Sequence, residues 1–491
     1  MTTEPATPTN QPIALVWFRR DLRVNDNSAL HSALETGLPV LAIYIHDQED
    51  LREIGGASAW WLHHSLQALE LELGKLGSTL HIAKGATKDI FKELSASHTI
   101  AEIFMSRSYD SDAALLEQQV HDMFASQQIA VRRFAGALLF EPELIHRDNG
   151  QPYKVFTPFY KRCMSHLSPG RSAATAPKGL WFSSTKSVFQ SLDSLVLLPV
   201  KPDWSAGLAR EWTPGAQGAQ ERLDEFIKRG LINYKLGRDI PAEDGTSMLS
   251  PHLHYGEISP RAVWHQIEQA VDDLPHRKEG ATAFLRELVW RDFAHYLLHN
   301  WPAMIDKPFR PEFDAFPWLE DEAQLRAWQQ GQTGYPLVDA GMRQLWQTGW
   351  MHNRVRMVVA SFLVKHLLQH WLHGERWFWD TLVDADQANN TASWQWAAGS
   401  GADAAPYFRI FNPTLQSTRF DPQGDYIRSY VPELSALPAK YIHEPHKASD
   451  DILSEAGIAL GETYPHPIVE HKAARERAMA AFRGLPKREK S

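Results

Sequence analysis

Several features that assign a sequence quickly are scarce or missing here. Cysteine occurs once, at Cys163. That excludes an intrachain disulfide and a thiolate metal cluster, and fits a reducing, cytoplasmic setting. No apolar run approaches the ~20 residues of a membrane span, so no membrane partner is expected. Residues 1–12 are polar, rich in Thr and Pro, and lack the apolar stretch of a secretion signal; they read as a disordered tail. Positive charge is not in excess, with 50 basic against 59 acidic residues and a net charge of −9. A protein coated in positive charge is excluded, but a local arginine patch on a few phosphates is not. No internal repeat is visible. The first apolar run is followed by Phe18-Arg19-Arg20-Asp21-Leu22-Arg23 and not by GxGxxG, so a nicotinamide dinucleotide site is not supported. Tryptophan is what the chain has in abundance. There are 18, and 11 fall between Trp290 and Trp396, where a plain core would use more Leu and Ile.

The 491 residues allow two to four domains. Residues 13–140 alternate short apolar runs, such as Ile13 to Phe18 and Val40 to Ile45, with amphipathic stretches, such as Trp60 to Leu76. That β-α-β alternation predicts an α/β domain with a doubly wound parallel sheet. Residues 141–215 gather proline, serine and glycine and read as an inter-domain linker with little regular structure. Residues 216–480 show helical periodicity, in Pro260 to Val271, Ala281 to Leu298, Pro336 to Gly349, Arg354 to Trp371 and Glu375 to Val383 among others. They predict a large, mainly α domain. A charged tail, 481–491, ends the chain.

The residues that carry chemistry gather in the helical half. Asp244-Gly245-Thr246-Ser247-Met248-Leu249-Ser250-Pro251 reads as a turn entering a helix. Its hydroxyls and free N–H groups suit a phosphate or diphosphate; a plain helix cap is the alternative. Tyr234 and Arg238, one helical turn apart, precede it and could flank the same ligand. Glu287, Trp290 and Arg291 stand at i, i+3 and i+4, so they share one helix face. Asn353, Arg356 and Met357 repeat that spacing, with Arg354 turned roughly 100° aside. Asp384 and Asp386 are candidate partners for Arg356, since a buried arginine without a carboxylate is costly. Trp394 and Trp396 would point about 200° apart on a helix and so do different jobs. With Trp371 and Trp318 they form a set of indoles able to pass an electron stepwise; most of the other tryptophans read as core.

Together these motifs resemble the DNA photolyase/cryptochrome family. The resemblance runs from Val16-Trp17-Phe18-Arg19-Arg20-Asp21-Leu22-Arg23 to Tyr464-Pro465-His466-Pro467-Ile468-Val469-Glu470-His471-Lys472. Its most specific parts are Gly349-Trp350-Met351-His352-Asn353-Arg354 and the stretch from Trp394-Gln395-Trp396 through Tyr407 to Asn412-Pro413. It implies an α/β antenna domain, a linker and a helical domain holding FAD. It implies that Tyr234, Thr246, Ser247, Met248, Leu249 and Ser250 hold the FAD diphosphate and neighbouring atoms. Met248 stands where relatives often have Arg. Glu287, Arg291, Arg356, Asp384, Ala385, Asp386 and Asn390 would complete the FAD site, with Arg356 and Asp384 as a salt bridge and Asn390 facing flavin N5. Trp394, Trp371 and Trp318 match a photoreduction triad, from the flavin outward.

The same resemblance implies a substrate, DNA containing pyrimidine dimers. Glu287, Trp290, Asn353, Met357 and Trp396 would form the wall for a flipped-out dimer, and Arg238, Arg354 and Gln416 would meet the DNA backbone. Asn353 stands where (6-4) photolyases carry histidine, which favours cyclobutane dimers, and Asn390 favours repair over signalling. The implied activity is light-dependent repair by a monomeric lyase. The alternatives are a cryptochrome-like blue-light sensor that binds FAD without repair, and a light-independent flavin electron carrier. For a second, antenna chromophore the Asn-Glu pair of folate-binding relatives is replaced by Asp112-Ala113. Another folate pose, a deazaflavin, a flavin or no second chromophore are all compatible with that.

Overall fold

The computed structural model describes residues 11–166, 178–403 and 408–486. The stretch 1–10, Tyr407 and residues 487–491 therefore lie outside the described residues. Ile13–Phe18 (β1), Val40–His46 (β2), Leu80–Lys84 (β3), Ile100–Ser106 (β4) and Ala130–Phe134 (β5) form one sheet in the order β3-β2-β1-β4-β5. Every pairing is parallel. β1 and β2 are buried at every residue, which is why they read as unbroken apolar runs: helices cover both faces. The two faces feed separate cores. Ala14, Val16 and Phe18 enter one, and Ile13, Leu15 and Trp17 the other.

The crossovers are Ser28–Glu35 (α1), Gly56–Lys75 (α2), Thr87–Ser97 (α3) and Ser111–Ala125 (α4). Asn27 caps α1, its side chain accepting from Leu30 N at 3.0 Å, as the polar cluster before it predicts.

The stretch expected to be an irregular linker contains a helix, Phe156–His166 (α5). Phe156, Phe159 and Cys163 on it are buried in the core of the helical domain. Their spacing is helical, but the surrounding prolines and serines hide it.

In the helical half, Lys278–Asn300 is the longest helix. The expected helix from Arg354 to Trp371 is broken. It runs as Asn353–Ser361, widens into a π-turn at Phe362–His366, and stops at Leu368, whose φ is +53°. Gln369 then bridges to Leu319, and a new helix, Trp371–Thr381, starts under the His370 cap. An apolar pattern alone does not record the break, because Val364, Leu367 and Leu368 are buried on either side of it. Gln387–Ala398 follows, with Asp386 as its cap. The last helix, His471–Arg483, packs on the π-turn, and His366 and His471 are joined ring to ring at 2.8 Å.

The two halves share packing. Trp212, Tyr255 and Val383 complete a core of the sheet domain. Gly256, at φ +67°, lies so close to Arg20 that a Cβ there would stand 2.2 Å from its carbonyl oxygen. Among the described residues no helix is long and apolar enough to cross a membrane.

Candidate functional site

A cavity of about 610 Å³ opens inside the helical half, well within the range of ~300–1,000 Å³ usual for cofactor pockets. Four segments build it. The first is the turn before Ser250–His254. Ser247, Leu249 and Ser250 enter the wall, but Thr246 and Met248 do not. Met248 is left-handed, at φ +50°, and this turns its side chain away to Arg222, whose Nη1 lies 3.7 Å from its sulfur. The cavity here meets backbone and small hydroxyls. Ser250 Oγ also accepts from Trp350 Nε1 at 3.3 Å.

The helix Lys278–Asn300 supplies the second segment. Phe284, Glu287, Leu288, Trp290 and Arg291 all line the cavity, as their shared face predicts. The Glu287 carboxylate is paired with Arg238, which also lies in the wall. Trp290 has one face covered by Phe156 of α5, with ring centroids 3.6 Å apart and planes within 9°. Arg291 donates to Ala137 O at 2.6 Å, tying the wall to the end of the sheet domain.

Asn353–Ser361 presents Asn353, Arg356, Met357 and Ala360. Arg356 reaches Asp384 at 2.9 Å and donates through Nε to Met351 O at 2.7 Å. Arg354 is turned out of the wall. It pairs with Asp239 at 2.6 Å and lies 4.5 Å over the Phe420 ring. Gln416 is half-buried on the neighbouring helix, Pro413–Phe420, and is not in the wall.

The fourth segment carries Asp384, Ala385, Asp386, Asn390, Trp394 and Trp396. Burial acts to raise the Asp386 carboxyl, but His295 and His254 beside it, at 3.5 and 3.3 Å, hold it well below the usual carboxylate range. Asn390 Nδ2 donates to the carbonyl oxygen and to Oε1 of Glu375, both at 3.0 Å. Trp394 is buried edge-on against Phe378 at 5.0 Å and Trp328 at 6.1 Å. Trp371 is buried outside the wall, and Trp318 is half-buried farther out. The His370 ring lies between them, 5.1 Å from Trp318 and 5.8 Å from Trp371.

Sequence reasoning missed Phe156, Glu375, His254, His295 and His370. Each acts through a contact distant in sequence, so no local spacing announces it. Only the i−1 position of His370 beside Trp371 was open to inspection.

A second, smaller cleft of about 140 Å³ lies at the carboxyl ends of the strands, between the two halves. That is where doubly wound sheets hold ligands. Here the Arg20–Asp110 pair crosses it and Asp112 accepts from Arg52 N at 2.7 Å. Its volume is under half the lower bound of usual cofactor pockets.

The donor set of the large cavity suits FAD. It combines small hydroxyls for phosphate, a fixed Arg356–Asp384 pair, an amide at Asn390 and long apolar walls. The comparisons agree with this geometry. Residues 14–178 match the profile described as DNA photolyase, and residues 284–484 that described as FAD binding domain of DNA photolyase. A deoxyribodipyrimidine photo-lyase of Agrobacterium fabrum is 48% identical over 473 residues, covering 96% of this chain and 98% of that one. Cryptochrome-1 of Arabidopsis thaliana is 39% identical over 479 residues, covering 96% of this chain and 70% of that one. The crystal structure of a bacterial class III photolyase from Agrobacterium tumefaciens superposes with a TM-score of 0.93 at 46% identity, covering 98% of this chain and 99% of that one. A parallel-sheet domain, an FAD-binding helical domain and a photo-lyase relative matched over 98% of its length place this chain in the DNA photolyase/cryptochrome family.

Proposed function

We propose that this chain repairs cyclobutane pyrimidine dimers in DNA, using light. The observation that carries the reading is that two kinds of wall meet in one cavity. Arg356, Asp384, Asp386 and Asn390 form a fixed polar set suited to a flavin, and Glu287, Trp290, Asn353, Met357 and Trp396 form a mixed aromatic and amide set suited to paired bases.

A dimer inside a duplex is out of reach and must be flipped out, which costs least at a damaged step. Trp396 and the free face of Trp290 offer apolar plates to the flipped bases. Asn353 and Glu287 offer hydrogen bonds to their edges. FAD, when bound, supplies the light-driven electron that opens the cyclobutane ring and receives it back. Glu287 and Asn353 act on the negative charge that then builds on the dimer, in a cavity from which the bases exclude water. At the mouth, Arg238 and Arg354 are held by Glu287 and Asp239; phosphates would take over from these carboxylates, so DNA affinity should fall steeply with salt. Trp394, Trp371 and Trp318 are the proposed route by which an external donor keeps the flavin reduced.

The similarity to a plant cryptochrome supports a second reading, a light sensor that binds FAD without repair. One assay separates the two. The protein is reduced and incubated with an oligonucleotide carrying one thymine dimer, in blue light and in the dark. Repair predicts dimer loss in the light alone. Intact flavin with no dimer loss supports the sensor.

A further inference from the structure

We propose that Arg52, a residue of the sheet domain, is a positioning residue that sets the redox preference of the flavin through Glu375 and Asn390. The proposal rests on the placement of the flavin's reacting edge at Asn390. Arg52 enters the domain interface from the segment between β2 and α2. Its main chain is fixed by Asp112, and Trp379 Nε1 donates to Glu53 O at 2.8 Å, docking that segment on the helical domain. The guanidinium lies 3.8 Å over the Trp379 ring. Its two terminal nitrogens grip both oxygens of Glu375, Nη1 to Oε1 at 2.9 Å and Nη2 to Oε2 at 3.1 Å. This is the two-pronged geometry that makes an arginine–carboxylate pair both strong and directional.

Glu375 is 2% exposed, so its carboxylate depends on that fork. Its Oε1 accepts again, from Asn390 Nδ2 at 3.0 Å, and its own carbonyl oxygen accepts from the same Nδ2 at 3.0 Å. Two acceptors facing one end of an amide fix which end that is: nitrogen toward Glu375, and oxygen toward the cavity. Asn390 therefore offers the cavity an acceptor. An oxidised isoalloxazine has a lone pair at N5, and the reduced ring carries an N–H there. An acceptor at Asn390 favours the reduced ring over the oxidised one, and the reduced ring is the form that repair requires.

Without Arg52 the buried carboxylate has no cation. It must take up a proton or draw in water; a protonated carboxyl no longer fixes the amide by charge, and a hydrated one holds it less firmly, because water competes for Oε1. The amide can then turn and present its N–H₂ to the cavity, which favours the oxidised ring. A residue at the domain interface thus governs a hydrogen bond inside the other domain.

The test is a redox titration of the flavin in the full-length holoprotein, read by absorbance. Arg52→Gln should lower the reduced-to-oxidised ratio at a fixed ambient potential about fivefold, the effect of one hydrogen bond. Arg52→Lys, which keeps the charge but loses the fork, should fall between Gln and the parent. In an Asn390→Ala background, Arg52→Gln should have no further effect. An unchanged ratio in both Arg52 variants, or an equal shift with and without Asn390, overturns the relay. If Asn390→Ala alone leaves the ratio unchanged, it is the placement of the flavin edge that fails. Should Arg52→Gln shed its flavin, the Arg52→Lys ratio decides, and no shift there overturns the proposal.

Discussion

At the scale of single residues, the site depends on positions with no side chain as much as on those with one. Gly374 stands one turn after Trp371. A Cβ there would lie 2.1–2.5 Å from three carbons of the Trp394 ring. Glycine in a helix costs ~1 kcal/mol relative to alanine, so the intrinsic term favours Gly374→Ala. Forcing a methyl into a packed core costs ~1–3 kcal/mol, and the nearest atoms belong to a rigid buried indole. Packing wins: Gly374→Ala should be destabilising by ~1–2 kcal/mol in denaturant unfolding, and should slow photoreduction of the flavin by displacing Trp394. Gly74, in α2 with nothing within 4 Å of a Cβ, is the control, and alanine there should be neutral or stabilising. Unaltered photoreduction in Gly374→Ala would separate Trp394 from the electron route. The indoles and the charged residues were legible in the sequence, because Glu287, Trp290 and Arg291, like Asn353, Arg356 and Met357, sit at helical spacing and their helices formed. Thr246 and Met248, expected beside the diphosphate, lie outside the cavity wall. One left-handed residue rotates a turn, and residue types do not encode that.

At the scale of elements, α5 is the main difference between expectation and structure. It gives the helical domain a flank built from residues of the supposed linker, and it fixes the wall of the cavity from behind. Phe156 is fully buried and Arg286 lies 5.2 Å over its ring, so Trp290 has a single orientation and one free face. Phe156→Ala should be destabilising by ~3–5 kcal/mol, as for other buried Phe. Phe156→Leu is the more informative change, since it keeps most of the volume and loses the stack, worth ~0.5–1.5 kcal/mol. It should weaken binding of a dimer-bearing oligonucleotide severalfold and leave binding of the undamaged strand alone, as read by titration of both. Equal affinities in parent and variant would remove Phe156 from the support of the lesion wall. The broken helix at Leu368 belongs to the same scale. Periodicity recorded which residues are buried but not that two separate helices bury them.

At the scale of the whole molecule, the sheet order was legible as a class but the role of its ligand crevice was not. The β-α-β alternation announced a doubly wound sheet, yet what plugs its carboxyl end comes from the other half of the chain: His254, Arg291, His295 and Asp386. Burying so many titratable groups has a consequence for stability against pH. Burial, chiefly, holds His295, His352 and His370 at about 4 and His366 at about 3. In the unfolded chain these rings take up a proton near 6.5. Between about 6.5 and 4 the unfolded state binds more protons than the folded one, so these groups lower stability as pH falls. Two carboxyls act in the opposite sense. Burial lifts Asp292 to about 7 and, against Arg20, Asp110 to about 6, so near pH 5 they hold protons that the unfolded chain has released. Smaller shifts fall on both sides, His81 and His254 with the rings, Glu141 and Asp339 with the carboxyls. Four rings against two carboxyls leave a net uptake of about two protons on unfolding near pH 5, or about 2.7 kcal/mol per pH unit. The urea midpoint of the protein should therefore fall steadily from pH 6.5 to pH 4.5. A midpoint that holds level or rises over that range would show that the buried carboxyls, and not the histidines, dominate the interior.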